Sequence, residues 1–415
     1  MRLIKELIPK RFYSSDNKLS KLVATVMFFL VVLVLSGCSS SNKVLNESPP
    51  ASSMTSHNLK MQGVQAQVGN SVSATTLPVG SPILPTQINV NGEAIVLGSN
   101  GVVSIVNTST NKVVNQIATN SAPPQNPDTL AVIPSQNVGL VVSESPSSVG
   151  NAIVVFNYVT GQVVFTIAMP FAPVAITTAT NGSIALVSGS QGQLASLDLT
   201  SRSITNVISL NQSSQAYMDA VAITPNQKYA VVVDDGGEVA GNIVYVVNLP
   251  SLQVLNSVSV GIGSGYFLNS MAISPDSSVA YVVNGGFGDG QLIPVSIPTA
   301  TVGGVIDVGG GPLAVTLSSN GNTAYVVDGA VGYGNLVVPV DLSQGFSYPN
   351  RTGGTPYQVG GDVNAYMDAI QLTQNQKVAY VTDRENGFLY PIDLAAGLAS
   401  KPIYVGNSPV AVELI

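Results

Sequence analysis

The sequence predicts an all-β fold, a seven-bladed β-propeller of four-stranded antiparallel blades, on three observations. The first is a repeated phrase: "AYMDAVAITPNQKYAVVVDD" from Ala216 and "AYMDAIQLTQNQKVAYVTDR" from Ala365 agree at 12 of 20 positions. Weaker copies start at Asp128, Ala172, Asn269 and Gly311, a degenerate one starts at Gln87, and the chain ends on a half-copy, "SPVAVELI". The second is the period. With Ala131, Ala175, Ala222, Ala272, Ala314, Gln371 and Ala411 taken as equivalent, the spacings are 44, 47, 50, 42, 57 and 40 residues, as in repeat folds. The third is that each period holds four short apolar runs, the strand count of a propeller blade.

The elements follow in order within a blade. The first two runs are the repeated phrase, strand, turn and strand. A third follows a Gly, Asn or Asp turn (residues 153–156, 243–247, 336–340 and 389–394), and a fourth comes after it (163–167, 203–208, 254–258 and 305–308). Val and Ile dominate runs of about five residues, and turn residues punctuate nearly every one, which argues against helices. "YAVVV" at Tyr229 and "AIVVF" at Ala152 do not alternate, as expected of strands buried on both faces between stacked blades. Pro294, Pro339 and Pro391 fall inside third strands, where a missing N–H requires either a short fourth strand or a bulge. The terminal half-copy predicts closure by pairing of the chain ends. It either completes the blade of residues 87–118 or displaces residues 83–90 from it.

"AYVVN" at Ala280, "AYVVD" at Ala324 and "AYVTD" at Ala379, with "MAISPDSSVAYVVN" from Met271 the best match, resemble the YVTN β-propeller repeats. The resemblance covers residues from about Asn91 onward. It implies seven blades, a surface or periplasmic placement and no particular chemistry. WD-repeat propellers fit poorly, since the chain has no Trp.

Residues 1–37 read as a lipoprotein signal peptide. Six Lys and Arg precede the uncharged apolar run 22–35, and "LSGC" ends it at Cys38, the sole cysteine. An apolar run of that length is short for a membrane span. Cys38 is therefore the expected lipidation site and the membrane, through that lipid, the expected partner. Residues 38–75, rich in Ser, Asn, Gln and Pro, read as a flexible tether, and 76–415 as the propeller. The expected location is the cell envelope, on the extracytoplasmic side, at the outer membrane or cell surface.

Beyond the signal, 9 Lys and Arg face 20 Asp and Glu, a formal charge of −11, so nucleic acid is excluded as an expected partner. Charged residues make up only 9% of the chain against an ordinary ~25%. Two accounts fit this: a secreted protein of low-charge composition, or residence in an acidic exterior.

Catalytic options fall away by composition. With His57 the sole histidine, in the tether, and Cys38 acylated, no Ser-His or Cys-His nucleophile pair and no His-ligated metal site can be assembled. The glycine clusters "GGFGDG" at Gly285 and "VGGGP" at Val308 sit between strands and read as turns, not phosphate loops. What remains is the mouth of the central channel. There the loops leading into the first strands would place Asp128, Tyr217, Asp219, Phe267, Asn269, Tyr366 and Asp368. The loops from second to third strands would place Asp234, Asp235, Glu238, Asn284, Asp289, Asp328, Asp383, Arg384 and Glu385. Asp128, Asp219, Asn269 and Asp368 recur at one position per blade. Either they cap their own corners through backbone N–H groups, or they rim a site for a hard cation such as Ca²⁺, a cationic ligand or a sugar. No cofactor beyond such a calcium ion is expected. The function reading is a lipid-anchored binding or scaffold module for a cell-envelope protein, glycan or small ligand. A propeller hydrolase or lyase using the mouth carboxylates is the alternative.

Overall fold

The computed structural model describes residues 92–415, apart from 146, 214–215, 236–241, 262–266, 287–289, 330–334, 347–350, 361–364 and 407. The signal, Cys38, the tether, the first residues assigned to the propeller, Glu238 and Asp289 lie outside the described residues. The fold is a seven-bladed β-propeller, its seven antiparallel sheets arranged in a ring. Pro134–Gln136, a single 3₁₀ turn, is the helical content among the described residues.

Blades 2 to 7 begin with the innermost strands Leu130–Ile133, Pro173–Thr178, Ala220–Ile223, Leu268–Ile273, Pro312–Leu317 and Met367–Leu372. Each runs from the mouth to the opposite face, and the next strands return antiparallel toward the rim. Blade 1 is built from both ends of the domain. Its three outer strands are Glu93–Gly98, Val102–Asn107 and Lys112–Ala118, and the C-terminal Pro409–Leu414 supplies the innermost one. That last strand pairs Val412 with Val96 and Leu414 with Ala94. Gly92 N–H to Ile415 O (2.9 Å) and Ser99 N–H to Ser408 O (2.9 Å) lock its ends. The half-copy thus completes the first blade.

Second strands are buried over nearly their whole length, all but the first residue in Tyr229–Asp234 and Val279–Asn284, because both faces pack on neighbouring blades. Outer strands such as Lys112–Ala118 alternate in exposure because only one face does so. The three third-strand prolines explain the rim of blades 5 to 7. Where blades 1 to 4 carry seven-residue outer strands, these blades carry fragments: Thr301–Val302 and Ile306–Gly309, Tyr357–Gln358, and Leu398–Ala399 with Ile403–Tyr404. Beside each proline the chain breaks step, and its carbonyl accepts one N–H, from Gly303 (2.8 Å), Gly354 (2.6 Å) and Ser400 (2.7 Å) respectively. Short outer strands, not bulges at the prolines, are therefore the solution adopted. The long spacing before blade 7 is also explained: Arg351–Thr352 leaves blade 6 and pairs in parallel with Ile306–Gly309 of blade 5.

The repeated "NQK" is the turn on the face opposite the mouth. Thr224 and Thr373 hydroxyls donate to Asn226 and Asn375 Oδ1 (2.8 and 2.9 Å), which accept the N–H of Lys228 and Lys377 (3.0 Å each). Gln227 and Gln376 take positive φ (57° and 59°). Ser274 with Asp276 and Ser318 with Asn320 build the same turn.

The ladders correct one detail of the repeat alignment. Ala131, Thr177, Ala222, Ala272, Thr316, Gln371 and Glu413 occupy one register level. Aligning on Ala175, Ala314 and Ala411 was displaced by two residues in the blades that open on a proline corner, Pro173, Pro312 and Pro409. These positions ring the axis. Seven strands converge there, so small side chains dominate, and Glu413 is the one carboxyl in that ring.

Candidate functional site: a strapped channel mouth

Five of the mouth corners are held by a side chain at the end of a second strand. Asp234 Oδ1 accepts Tyr217 N–H (3.0 Å), Asn284 Oδ1 accepts Phe267 N–H (3.0 Å), Asp328 Oδ1 accepts Gly311 N–H (2.8 Å) and Asp383 Oδ1 accepts Tyr366 N–H (3.3 Å). Ser143 plays this part in blade 2, accepting Ala122 N–H at 3.1 Å. All five are buried, and the N–H groups they satisfy lie where no ladder reaches. The terminal Asp or Asn of the "YVVD", "YVVN" and "YVTD" motifs is thus the corner cap. The recurring Asp128, Asp219, Asn269 and Asp368 of the leading loops make other bonds.

Those other bonds form a strap. The segment "PPQNPD", residues 123–128, leads into blade 2 and reaches two distant blades. At one side Asn126 Nδ2 donates to the Asp219 carbonyl (2.7 Å) and Asp219 Oδ1 (3.3 Å) of blade 4. At the other, Gln125 Oε1 accepts Arg384 Nη1 of blade 7 (2.9 Å). Arg384 is itself fixed twice, its guanidinium 4.0 Å above the Tyr366 ring and its Nε 3.3 Å from Asp368 Oδ2. The two copies of "AYMD" are accordingly the two anchors of one strap. Three prolines hold the segment extended, and Asn126 Oδ1 caps Asp128 N–H (2.7 Å).

Below the strap lies a cavity of about 200 Å³, lined by Asp128, Ser270, Thr316, Gln371 and Glu413 among others. Asp128, from blade 2, bonds the Ser270 side chain of blade 5 and so crosses the channel. Asn269 points away from it, donating to Pro312 O of the next blade (3.2 Å).

Electrostatically the mouth is a carboxyl cluster with too few cations. Burial pushes Asp128 and Asp235 up to about 7, Asp368 to about 8 and Glu413 to about 8. Asp219 is driven well above the carboxylate range, by burial first and then by Asp235 and Asp128. Arg384 pulls Asp368 down but does not offset its burial; the residue is 4% exposed. Asp235 accepts the Leu268 N–H, and its Oδ1 is buried with no hydrogen-bond partner. Burial and the neighbouring acids also raise the Tyr217 phenol. At neutral pH such a group of acids retains protons, and an incoming cation would displace them.

The structure therefore gathers Asp128, Tyr217, Asp219, Asp235, Tyr366, Asp368 and Arg384 around the strap. Asp234 and Asp383 sit beneath as caps, and Asn269 is turned aside. Phe267 is exposed on the rim. Gln125, Asn126 and Glu413 belong to the mouth and channel without having been singled out in the sequence. Among the described residues no group of three or more His, Cys, Asp or Glu is disposed to hold a metal ion.

No family model matches this chain, and no curated protein does. Many solved structures share its shape. Hydrazine synthase of Kuenenia stuttgartiensis superimposes with a TM-score of 0.57 at 14% identity, over 70% of this chain and 90% of that one. A protein from Lactobacillus plantarum gives 0.61 at 15%, over 78% and 99%. The dihydro-heme d1 dehydrogenase NirN in complex with DHE gives 0.56 at 12%, over 80% and 78%. The likeness is one of fold. At these identities neither enzyme's chemistry transfers.

Proposed function

We propose that this chain is a lipid-anchored binding module of the cell envelope, of the YVTN-repeat type, which takes a cationic group at the strapped mouth. In this reading the acylated Cys38 holds the protein to the extracytoplasmic face of a membrane, and residues 38–75 let the propeller stand off from it. The observation that carries the binding reading is the imbalance at the mouth. Asp128, Asp219, Asp235 and Asp368 converge there with Arg384 as the cation paired among them. Tyr217 adds an aromatic face, which favours an ammonium or guanidinium group, while one face of Tyr366 is already covered by Arg384. A basic side chain of an envelope protein or a small amine meets these demands. A calcium ion is the other cation of suitable chemistry, though it would require the carboxylates to draw closer together.

Thermal-shift titration of the full chain with calcium chloride, and separately with N-acetyl-lysine amide, tests the mouth. A shift with either probe that is lost in Asp219→Asn with Asp368→Asn supports the proposal; no shift with either removes it. Labelling of expressing cells with an alkyne fatty acid tests the anchor. Label absent from the wild type, or retained in Cys38→Ser, removes lipidation at that residue.

A further inference from the structure

We infer a second binding site, for a neutral monosaccharide unit, in the seam between blades 7 and 1. A cleft of about 270 Å³ opens there, lined by Gly98, Asn100, Gln116, Tyr404, Val405 and Gly406 among others. The volume lies at or below the ~300 Å³ lower end of drug-sized pockets, so its occupant is small.

Three features set the chemistry. The first is the wall. Tyr404 is 65% exposed, yet its ring is not loose: Phe388 packs edge-on against it at 5.8 Å between centroids, and is itself braced by Tyr390 at 6.2 Å. Gly387 makes room for this placement, since a Cβ there would stand 3.1 Å from Tyr404 Cε2 and 2.7 Å from Gly406 O. A supported aromatic face left open to solvent suits the C–H face of a pyranose, whose slightly positive hydrogens meet the negative π-surface.

The second feature is a carboxamide pair. Gln116 Nε2 is held by Ser104 Oγ (3.0 Å) and Val405 O (3.3 Å), which fixes the amide at the cleft wall. Asn100 Oδ1 accepts Val102 N–H (3.1 Å), which fixes its side chain at the rim. Gln116 keeps its Oε1 as an acceptor and Asn100 keeps its Nδ2 as a donor, so the pair together offers both signs, the pattern that vicinal hydroxyls require. Third, among the described residues no Asp, Glu, Lys, Arg or His lines the cleft. An ionic ligand would find no counter-charge, and a neutral polyol loses nothing by that.

The cleft floor is compatible with a close ligand. Gly406 adopts φ +99°, where other residues are strained, and a Cβ there would meet nothing nearer than Gln116 Nε2 at 3.7 Å. The seam also joins the two ends of the propeller, with Ser104 of blade 1 donating to Val405 O at 2.7 Å. This site is separate from the mouth, and its fate does not depend on what the mouth binds.

Saturation-transfer NMR on the full chain with methyl glycosides of glucose, galactose and N-acetylglucosamine tests the inference, with glucuronic acid as the charged control. Expected is transfer to at least one neutral sugar, an affinity about tenfold weaker in Tyr404→Ala, and near-wild-type binding in Tyr404→Phe. The Tyr404 side chain is largely exposed, so both variants should fold. Absence of transfer to all three neutral sugars overturns the site, as does transfer undiminished in Tyr404→Ala. Binding of glucuronic acid alone also overturns it.

Discussion

Asn126 donates its side-chain amide to the backbone carbonyl of Asp219 at 2.7 Å, joining the loop that leads into blade 2 to the corner of blade 4. Blade 3 lies between them, and its short Ala172 and Pro173 corner leaves the crossing clear. Asn126 is buried, so Asn126→Ala removes a donor that water does not readily replace, at a cost of about 1–2 kcal/mol. Gln125→Ala should cost less than about 0.5 kcal/mol, since its bond to Arg384 is exposed. Urea unfolding measures both. Equal stability of Asn126→Ala and wild type would mean that the strap is not held at blade 4.

The second expectation separates caps from mouth residues. Asp234 bonds both Tyr217 N–H (3.0 Å) and Asn211 Nδ2 (2.8 Å) while fully buried. Asp234→Ala strands both donors and should cost about 2–4 kcal/mol. Asp219→Asn keeps an acceptor near Asn126 and removes only a charge that burial already disfavours, so its cost should stay under about 1 kcal/mol. Thermal melts of the two variants should therefore differ by a few degrees. Similar melting would undo the distinction.

Blade number, strand count and ring closure were legible in the sequence because each rests on a local signal repeated many times. A Val-rich run ending in Asp or Asn and a Thr-x-Asn turn are each complete within a few residues. The mouth was legible only in part. Asp219 and Asp368 were found through their repetition, but Asp234 and Asp383 drew the same attention for being acidic, and the ladder geometry makes them caps. Asn126 meets a residue 93 positions away, and "PPQNPD" has no counterpart in the other blades to mark it. Glu413 was hidden by the two-residue offset that the Pro409 corner introduces, which placed Ala411 where the channel ring has a carboxyl.

Closure supplies a third expectation. Val410, Ala411 and Val412 are buried, and without residues 409–415 the strand Glu93–Gly98 faces the channel with an unpaired edge. The truncated chain should lose at least about 3 kcal/mol. A peptide of sequence PVAVELI added in trans should restore part of it. A truncated domain with the melting temperature of the full chain would contradict closure by this strand.

The last expectation is an inverted pH dependence. Glu93 is 1% exposed, neither carboxyl oxygen has a hydrogen-bond partner, and burial pushes it up to about 7 from 4.5. Tyr158 is near enough for the Glu93 charge to raise its phenol further. Asp128, Asp235, Asp368 and Glu413 behave alike, retaining protons to about 7 or 8 where the unfolded chain gives them up near 3.8 (Asp) or 4.5 (Glu). Between those limits the folded state binds more protons than the unfolded one, so stability is full below about pH 4 and falls as pH rises toward 8. Asp198 and Asp276 are lowered by local hydrogen bonds and act in the opposite sense. Both are on exposed turns, where such bonds contribute little. The melting temperature should therefore be higher at pH 5 than at pH 8, opposite to a protein stabilised by ion pairs. Glu93→Gln should raise stability at pH 8 by about 1–3 kcal/mol and change it little at pH 5, since the amide mimics the protonated acid. A melting temperature that climbs from pH 5 to pH 8 would mean these carboxyls are ionised in the fold.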